Sequence, residues 1–161
     1  MSQEVSLPTR RCTIQLARRL APHLRPGDLV VLVGSLGAGK TFFTRALCRA
    51  LGLPEQVAVT SPTFTLVHEF ETVPPVAHAD VYRLEEPSAV RELGLDAMRD
   101  EGFVVLVEWG EPFIELLGGD ALVLELLVDP DRHALLRATG RRSQALLAAL
   151  ADSSPASSPP P

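Results

Sequence analysis

Two short stretches of the chain, Leu29-Val-Val-Leu-Val33 and Phe103-Val-Val-Leu-Val107, are apolar at every position. A strand with one wet face alternates between apolar and polar residues. A strand apolar throughout is covered on both faces, as in a parallel sheet held between helical layers. A third stretch, Val76-Ala-His-Ala, is shorter and runs into Asp80. Elsewhere the period is helical. Thr9 to Leu20 reads as a helix, with Ile14, Ala17 and Leu20 among its apolar positions. From Lys40, the residues Phe43, Ala46, Leu47, Ala50 and Leu51 fall at i, i+3, i+4, i+7 and i+8, with Arg45 and Arg49 on the other face. Gly52 and Pro54 stop that helix. Glu85 to Arg99 predicts a helix in two pieces, opened by Pro87 and interrupted by Gly94. Phe64, Leu66 and Phe70 suggest a strand with one buried face. Ala121–Val128 and Ala134–Thr139 flank Asp129-Pro-Asp-Arg-His133, a hairpin signal. Ser143 to Ala151 reads as a closing helix. The expectation is an α/β fold of three layers, with a mostly parallel sheet and an antiparallel C-terminal hairpin.

The junction between the first apolar stretch and its helix carries the chemistry. Gly34-Ser35-Leu36-Gly37-Ala38-Gly39-Lys40-Thr41 fits Gly, any four residues, Gly, Lys, Ser/Thr, the phosphate-binding P-loop. Glycines let the backbone wrap a polyphosphate with its N–H groups inward. A lysine at position 40 reaches the β- and γ-phosphates, and the Thr41 hydroxyl is a ligand for Mg²⁺. Strand, loop and helix in this order put an anion at a helix N-terminus. The fold expected is therefore P-loop NTPase-like.

Two acids follow apolar strands, where an α/β sheet places its ligand crevice: Asp80 and Glu108. They compete for three jobs: holding Mg²⁺, orienting an attacking water and communicating with a mobile loop. The plainer reading is that each caps the turn that follows it. Ser61-Pro62-Thr63-Phe64-Thr65 offers Thr63 or Thr65 as a hydroxyl near a γ-phosphate; its plainer reading is a loop entering a hairpin. Pro62 fixes the backbone there.

Composition narrows the picture only in places. The chain has 161 residues, 46% of them hydrophobic and 22% charged, with a net charge of −5. That balance argues against broad electrostatic binding of nucleic acid, so any RNA is expected to be held mainly by partners. Lys40 is the only lysine, which excludes the guanine-reading Asn-Lys-x-Asp motif of GTPases. Cys12 and Cys48 form no CxxC pair and read as buried, reduced thiols. With no membrane-length apolar run, this points to the cytoplasm. The histidines at 23, 68, 78 and 133 lack zinc-like spacing. One domain, 1–151, is expected, with a disordered Ser/Pro-rich tail over 152–161.

Together, Gly-Ser-Leu-Gly-Ala-Gly-Lys-Thr, Ser61-Pro-Thr-Phe-Thr-Leu-Val67, His78-Ala-Asp-Val-Tyr-Arg83 and Val107-Glu-Trp109 resemble the bacterial TsaE family. The resemblance runs in order from the N-terminal helix to about residue 140. It implies a Mg²⁺-dependent ATPase that binds ATP and ADP and works with TsaD-like and TsaB-like subunits. There TsaD transfers threonylcarbamoyl to adenosine 37 of tRNA, and the TsaE ATP cycle supports repeated turnover. By motif, Gly37, Ala38, Gly39, Lys40 and Thr41 carry over as the phosphate cradle, and Thr41 and Glu108 as Mg²⁺ ligands. Asp80 carries over as essential for hydrolysis and Trp109 as a neighbour of the site. Arg132 resembles an arginine near the adenine, and base discrimination is expected from backbone contacts and from groups such as Arg132 or the first helix near Thr9. Ser35 stands where the family usually has an acid, and Phe42 where it usually has threonine. A backbone N–H from Phe42 to the α-phosphate survives that change; a hydroxyl contact does not.

Two other classes share these features. A small-molecule P-loop kinase would need an acceptor pocket and a lid arginine, for which Arg83, Arg91 and Arg99 are candidates. A nucleotide-gated interaction module would bind nucleotide without significant hydrolysis.

Overall fold

The computed structural model describes residues 2–62 and 66–152. Seven strands form one sheet: β1 (Ser2–Ser6), β2 (Leu29–Val33), β3 (Val67–Phe70), β4 (Val76–Asp80), β5 (Val104–Glu108), β6 (Leu122–Leu127) and β7 (His133–Ala138). Their spatial order is β1-β7-β6-β2-β5-β4-β3. The middle is parallel, with β2 between β5 and β6 and with β4 beside β5. Both edges are antiparallel: β6 and β7 make the expected hairpin, β1 adds to β7, and β3 adds to β4.

The all-apolar strands are central because both of their faces are covered. On one face Val30, Leu32, Val104 and Leu106 pack with α1 (Arg10–Leu20), α2 (Lys40–Ala50) and α5 (Arg141–Asp152). On the other, Leu29, Val31, Val105 and Val107 meet α3 (Pro87–Glu92), α4 (Leu95–Asp100) and the segment around Phe113 and Ile114. Three layers result, as the periodicity predicts.

The alternation along these strands also places the chemistry. Val76 of β4 and Leu106 of β5 belong to the layer of α2, while Ala77, Ala79 and Val107 belong to the opposite layer. Side chains alternate with period two, so His78, Asp80 and Glu108 all project on the α2 side.

Four details depart from the sequence reading. The strand expected around Phe64, Leu66 and Phe70 begins only at Val67. Leu66 has φ 65°, a left-handed conformation that cannot continue a strand. Phe64, Thr63 and Thr65 lie outside the described residues. The polar stretch Ser2–Ser6 is a strand because β7 offers it an edge, a cause invisible in its own sequence. Cys48 is buried as expected, whereas Cys12 is only half-buried. Finally, α5 runs through Asp152, one residue into the expected tail, and the remaining tail lies outside the described residues. No helix among the described residues is long and apolar enough to cross a membrane.

Candidate functional site

At the C-terminal end of β2 the chain must leave a buried strand and enter a helix within a few residues. Gly34 makes this possible by close approach: a Cβ there would sit 2.8 Å from the Leu126 carbonyl oxygen. Gly39, at the N-cap of α2, has φ 108°, which favours glycine over any other residue. The first helical bond of α2 is Phe43 N–H to Gly39 O at 2.9 Å. The preceding N–H groups of Lys40, Thr41 and Phe42 therefore open the helix without intrahelical acceptors, a ready site for an anion.

These residues line a cleft of ≈ 540 Å³, within the usual range for small-molecule sites. Gly37, Ala38, Gly39, Lys40, Thr41 and Phe42 form one wall. Asp80, Glu108 and Trp109 enter from the ends of β4 and β5. Thr9, at the N-cap of α1, and Arg132, from the β6–β7 turn, complete the lining. Tertiary structure thus brings together every candidate of the ATPase reading except Thr63 and Thr65, which lie outside the described residues. Arg83, Arg91 and Arg99 do not line the cleft. Arg99 instead donates to the carbonyls of Gly27 and Leu117, so it serves as a structural clamp rather than a lid.

Lys40 is 6% exposed. Its Nζ donates to Gly34 O at 2.5 Å and Ser35 O at 3.1 Å, and it lies 4.3 Å from the centroid of the Trp109 ring. Burial pushes its pKa down, against the opposing pull of the Glu108 and Asp80 charges. Backbone carbonyls and an indole face are weak substitutes for phosphate oxygens. Trp109 itself has φ 64°, strain of the kind that collects at functional turns. Its ring also packs against Tyr82, with centroids 4.8 Å apart.

The two acids differ. Asp80 Oδ2 accepts from Ser61 Oγ at 2.8 Å and Oδ1 from the Tyr82 N–H at 3.0 Å. The turn-capping reading therefore describes part of what Asp80 does. Glu108 caps nothing. It is 3% exposed, and its Oε2 is 2.7 Å from His78 Nε2. Thr41, Asp80 and Glu108 all offer hard oxygen to one cleft, the donor type that Mg²⁺ selects together with phosphate and water.

With this geometry in view, the comparisons are direct. The family model for "Threonylcarbamoyl adenosine biosynthesis protein TsaE" matches residues 7–135. The chain belongs to the TsaE family. It is 41% identical over 138 residues to the tRNA threonylcarbamoyladenosine biosynthesis protein TsaE of Streptomyces coelicolor, covering 80% of this chain and 91% of that one. The Bacillus subtilis protein of the same name is 39% identical, with 83% of this chain and 84% of that one covered. The crystal structure of Bacillus subtilis YdiB superposes with a TM-score of 0.74 at 30% identity, over 94% and 95% of the two chains.

Around this TsaE-family cleft, sequence reasoning does not single out Arg10, Arg45 or His78. Arg10, the first residue of α1, lines the cleft with its guanidinium 5.5 Å from the Phe42 ring. Arg45 approaches the same ring at 5.8 Å, so Phe42 is flanked by two cations. His78 was passed over because its spacing matches no metal motif. The available signal was different: a histidine in the middle of an otherwise apolar strand, two residues before a candidate acid.

Proposed function

We propose that this protein is a Mg²⁺-dependent ATPase subunit supporting threonylcarbamoyl transfer to adenosine 37 of tRNA by a TsaD/TsaB-type complex in the cytoplasm. The single observation carrying the enzymatic part is the convergence of Lys40, Thr41, Asp80 and Glu108 on one cleft at the start of α2. Family membership and the names of the relatives support the pathway.

The roles follow from the chemistry of each group. The N–H groups at the head of α2 and the Lys40 ammonium receive the phosphates. Lys40 must then leave the Gly34 and Ser35 carbonyls, and the exchange is favourable because phosphate oxygens bring full opposite charge where the carbonyls bring only dipoles. Thr41 Oγ1 and Glu108 would hold Mg²⁺, which when bound neutralises charge on the transferring phosphoryl group. Asp80 orients the attacking water once its bond to Ser61 is released. That release ties hydrolysis to the position of Ser61, which a docking partner can shift. Arg132 and Thr9, which line the same cleft, take the base end of ATP or ADP. The acidic net charge assigns most tRNA contact to the partners.

The test measures phosphate release and modified tRNA together, with and without TsaD and TsaB. Wild type should hydrolyse ATP slowly alone and at a changed rate in the complex. Asp80→Ala should still bind ATP but stop modification over many turnovers. Partner-independent ATPase activity, with modification unaffected by Asp80→Ala, sinks the coupling. Phosphate transfer only to an added small acceptor would instead indicate a kinase. Nucleotide binding without release beside the partners would indicate a gated module.

A further inference from the structure

We infer that His78 is a positioning residue for the cation site: its Nε2–H locks one oxygen of Glu108 and leaves the other to the cleft. The inference rests on the Mg²⁺-nucleotide reading above and adds a residue to it.

The geometry starts in the sheet. His78 and Glu108 lie on the neighbouring parallel strands β4 and β5, where His78 is in register with Leu106 and Asp80 with Glu108. Both side chains emerge on the α2 face, so the imidazole reaches along that face to the next residue pair. His78 is fully buried, and the Nε2–Oε2 distance is 2.7 Å. A contact that short between a ring nitrogen and a carboxylate oxygen requires a proton between them. The other ring nitrogen, Nδ1, is buried without a hydrogen-bond partner.

That orphan selects the tautomer. If Nδ1 carried a proton, a buried N–H would have no acceptor, the rarer and costlier kind of unsatisfied group. A lone pair at Nδ1 leaves the single ring proton on Nε2, directed at Glu108. Nε2–H then donates to Glu108 Oε2. Glu108 Oε1 makes no hydrogen bond among the described residues, and Glu108 lines the cleft beside Thr41. A carboxylate held by one oxygen is restricted in rotation, so its free oxygen meets a cation with less loss of side-chain entropy. Partners of this kind orient carboxylate ligands at metal sites, and their removal costs roughly 10–100-fold in metal affinity. The burial of His78 among apolar neighbours gives it no access to nucleotide, so it acts only through Glu108.

The experiment measures binding of the β,γ-imido analogue of ATP by titration calorimetry, with Mg²⁺ and with EDTA. The readout is the ratio of the two Kd values, which does not depend on turnover. His78→Phe, which keeps an aromatic ring but has no donor, should reduce the Mg²⁺ advantage by about tenfold or more. The EDTA value should stay within about twofold. His78→Gln, whose amide N–H can replace Nε2–H, should recover most of the ratio. In a Glu108→Gln background, His78→Phe should change nothing further. An unchanged ratio in folded His78→Phe overturns the inference. So does an equal loss with and without Mg²⁺, or a loss that adds in full to that of Glu108→Gln, since each marks a packing role. A wild-type protein that binds the analogue no better with Mg²⁺ overturns the underlying reading, and this inference with it. Nitrogen-15 NMR of the wild-type histidines needs no substitution and covers the case of a variant that does not fold. It should show His78 as the Nε2–H tautomer; an Nδ1–H tautomer overturns the assignment.

Discussion

At the start of β2, Asp28 is 5% exposed; just beyond its end, Lys40 is 6% exposed. Each is a charge taken out of water, and each would be costly alone. At Asp28 the chain supplies everything needed. Arg142 Nε donates to Oδ1 and Nη2 to Oδ2, both at 2.8 Å, and the Arg25 N–H adds another bond at 2.8 Å. Arg142 also donates to His23 O at 2.6 Å. Beside it, Asp120 accepts the N–H groups of Arg142 and Ser143 at the head of α5. At Lys40 the chain supplies two backbone carbonyls and an indole face, with two acids nearby. The first cluster is closed by its own groups. The second has the donors and acceptors of a site built for something else. Buried charge alone does not mark function; Lys40 differs from Asp28 in having only two carbonyls and a ring as direct partners.

The sharpest test of this contrast is Lys40→Ala. ATP turnover should fall by about 100-fold or more, because one charge faces several phosphate oxygens and no other lysine exists. The thermal midpoint should hold within about 3 °C, since burial of Lys40 gains the fold little. Unchanged turnover would break the comparison at once.

Glu108→Gln comes next. The amide keeps the size and the bond to His78 but loses the charge, so Mg²⁺-dependent hydrolysis should drop about 10–100-fold. Nucleotide binding in EDTA should be little affected. Hydrolysis at the wild-type rate would return Glu108 to a structural role.

Arg142→Met reverses the pattern. Removing one partner of the buried pair leaves Asp28 uncompensated, and urea unfolding should show a loss of about 2–3 kcal/mol. Nucleotide affinity should be unchanged. A stable variant with weakened nucleotide binding would show that the two ends of β2 are not separate.

The smallest effect is in acid. Burial works to raise the Asp120 pKa, but hydrogen bonds from Ser143 and Arg142, aided by the Arg99 charge, hold it below the usual 3.8. A carboxylate lowered in the fold stabilises it above the unfolded pKa, and that contribution fades as pH falls through the folded value. The stability gap between wild type and Asp120→Asn should therefore be full near neutrality and narrow below about pH 4. A gap that stays constant through that range would mean the charge is not what Asp120 contributes.

Much of this protein was legible without coordinates, and the reasons are local. A run such as Leu29–Val33, short, valine-rich and closed by Gly34, fits a strand covered on both sides, and the spacing of Phe43, Ala46, Leu47 and Ala50 fits one buried helical face. The P-loop is equally local: glycines at fixed intervals, then lysine and threonine on the first turn of a helix. What lies far apart in the chain was decided by the sheet. The register of β4 with β5 sets Asp80 beside Glu108 and puts His78 within reach of it, and all three share a face only through the alternation of two neighbouring strands. β1 exists because β7 has an edge to pair with, not because Ser2–Ser6 prefers to be extended. Arg142 and Asp28 meet across 114 residues through the closure of α5 onto the sheet. Local sequence sets the torsions and the apolar period, which depend on near neighbours. Charge pairing and hydrogen bonding between distant residues depend on register and packing, which no single stretch contains.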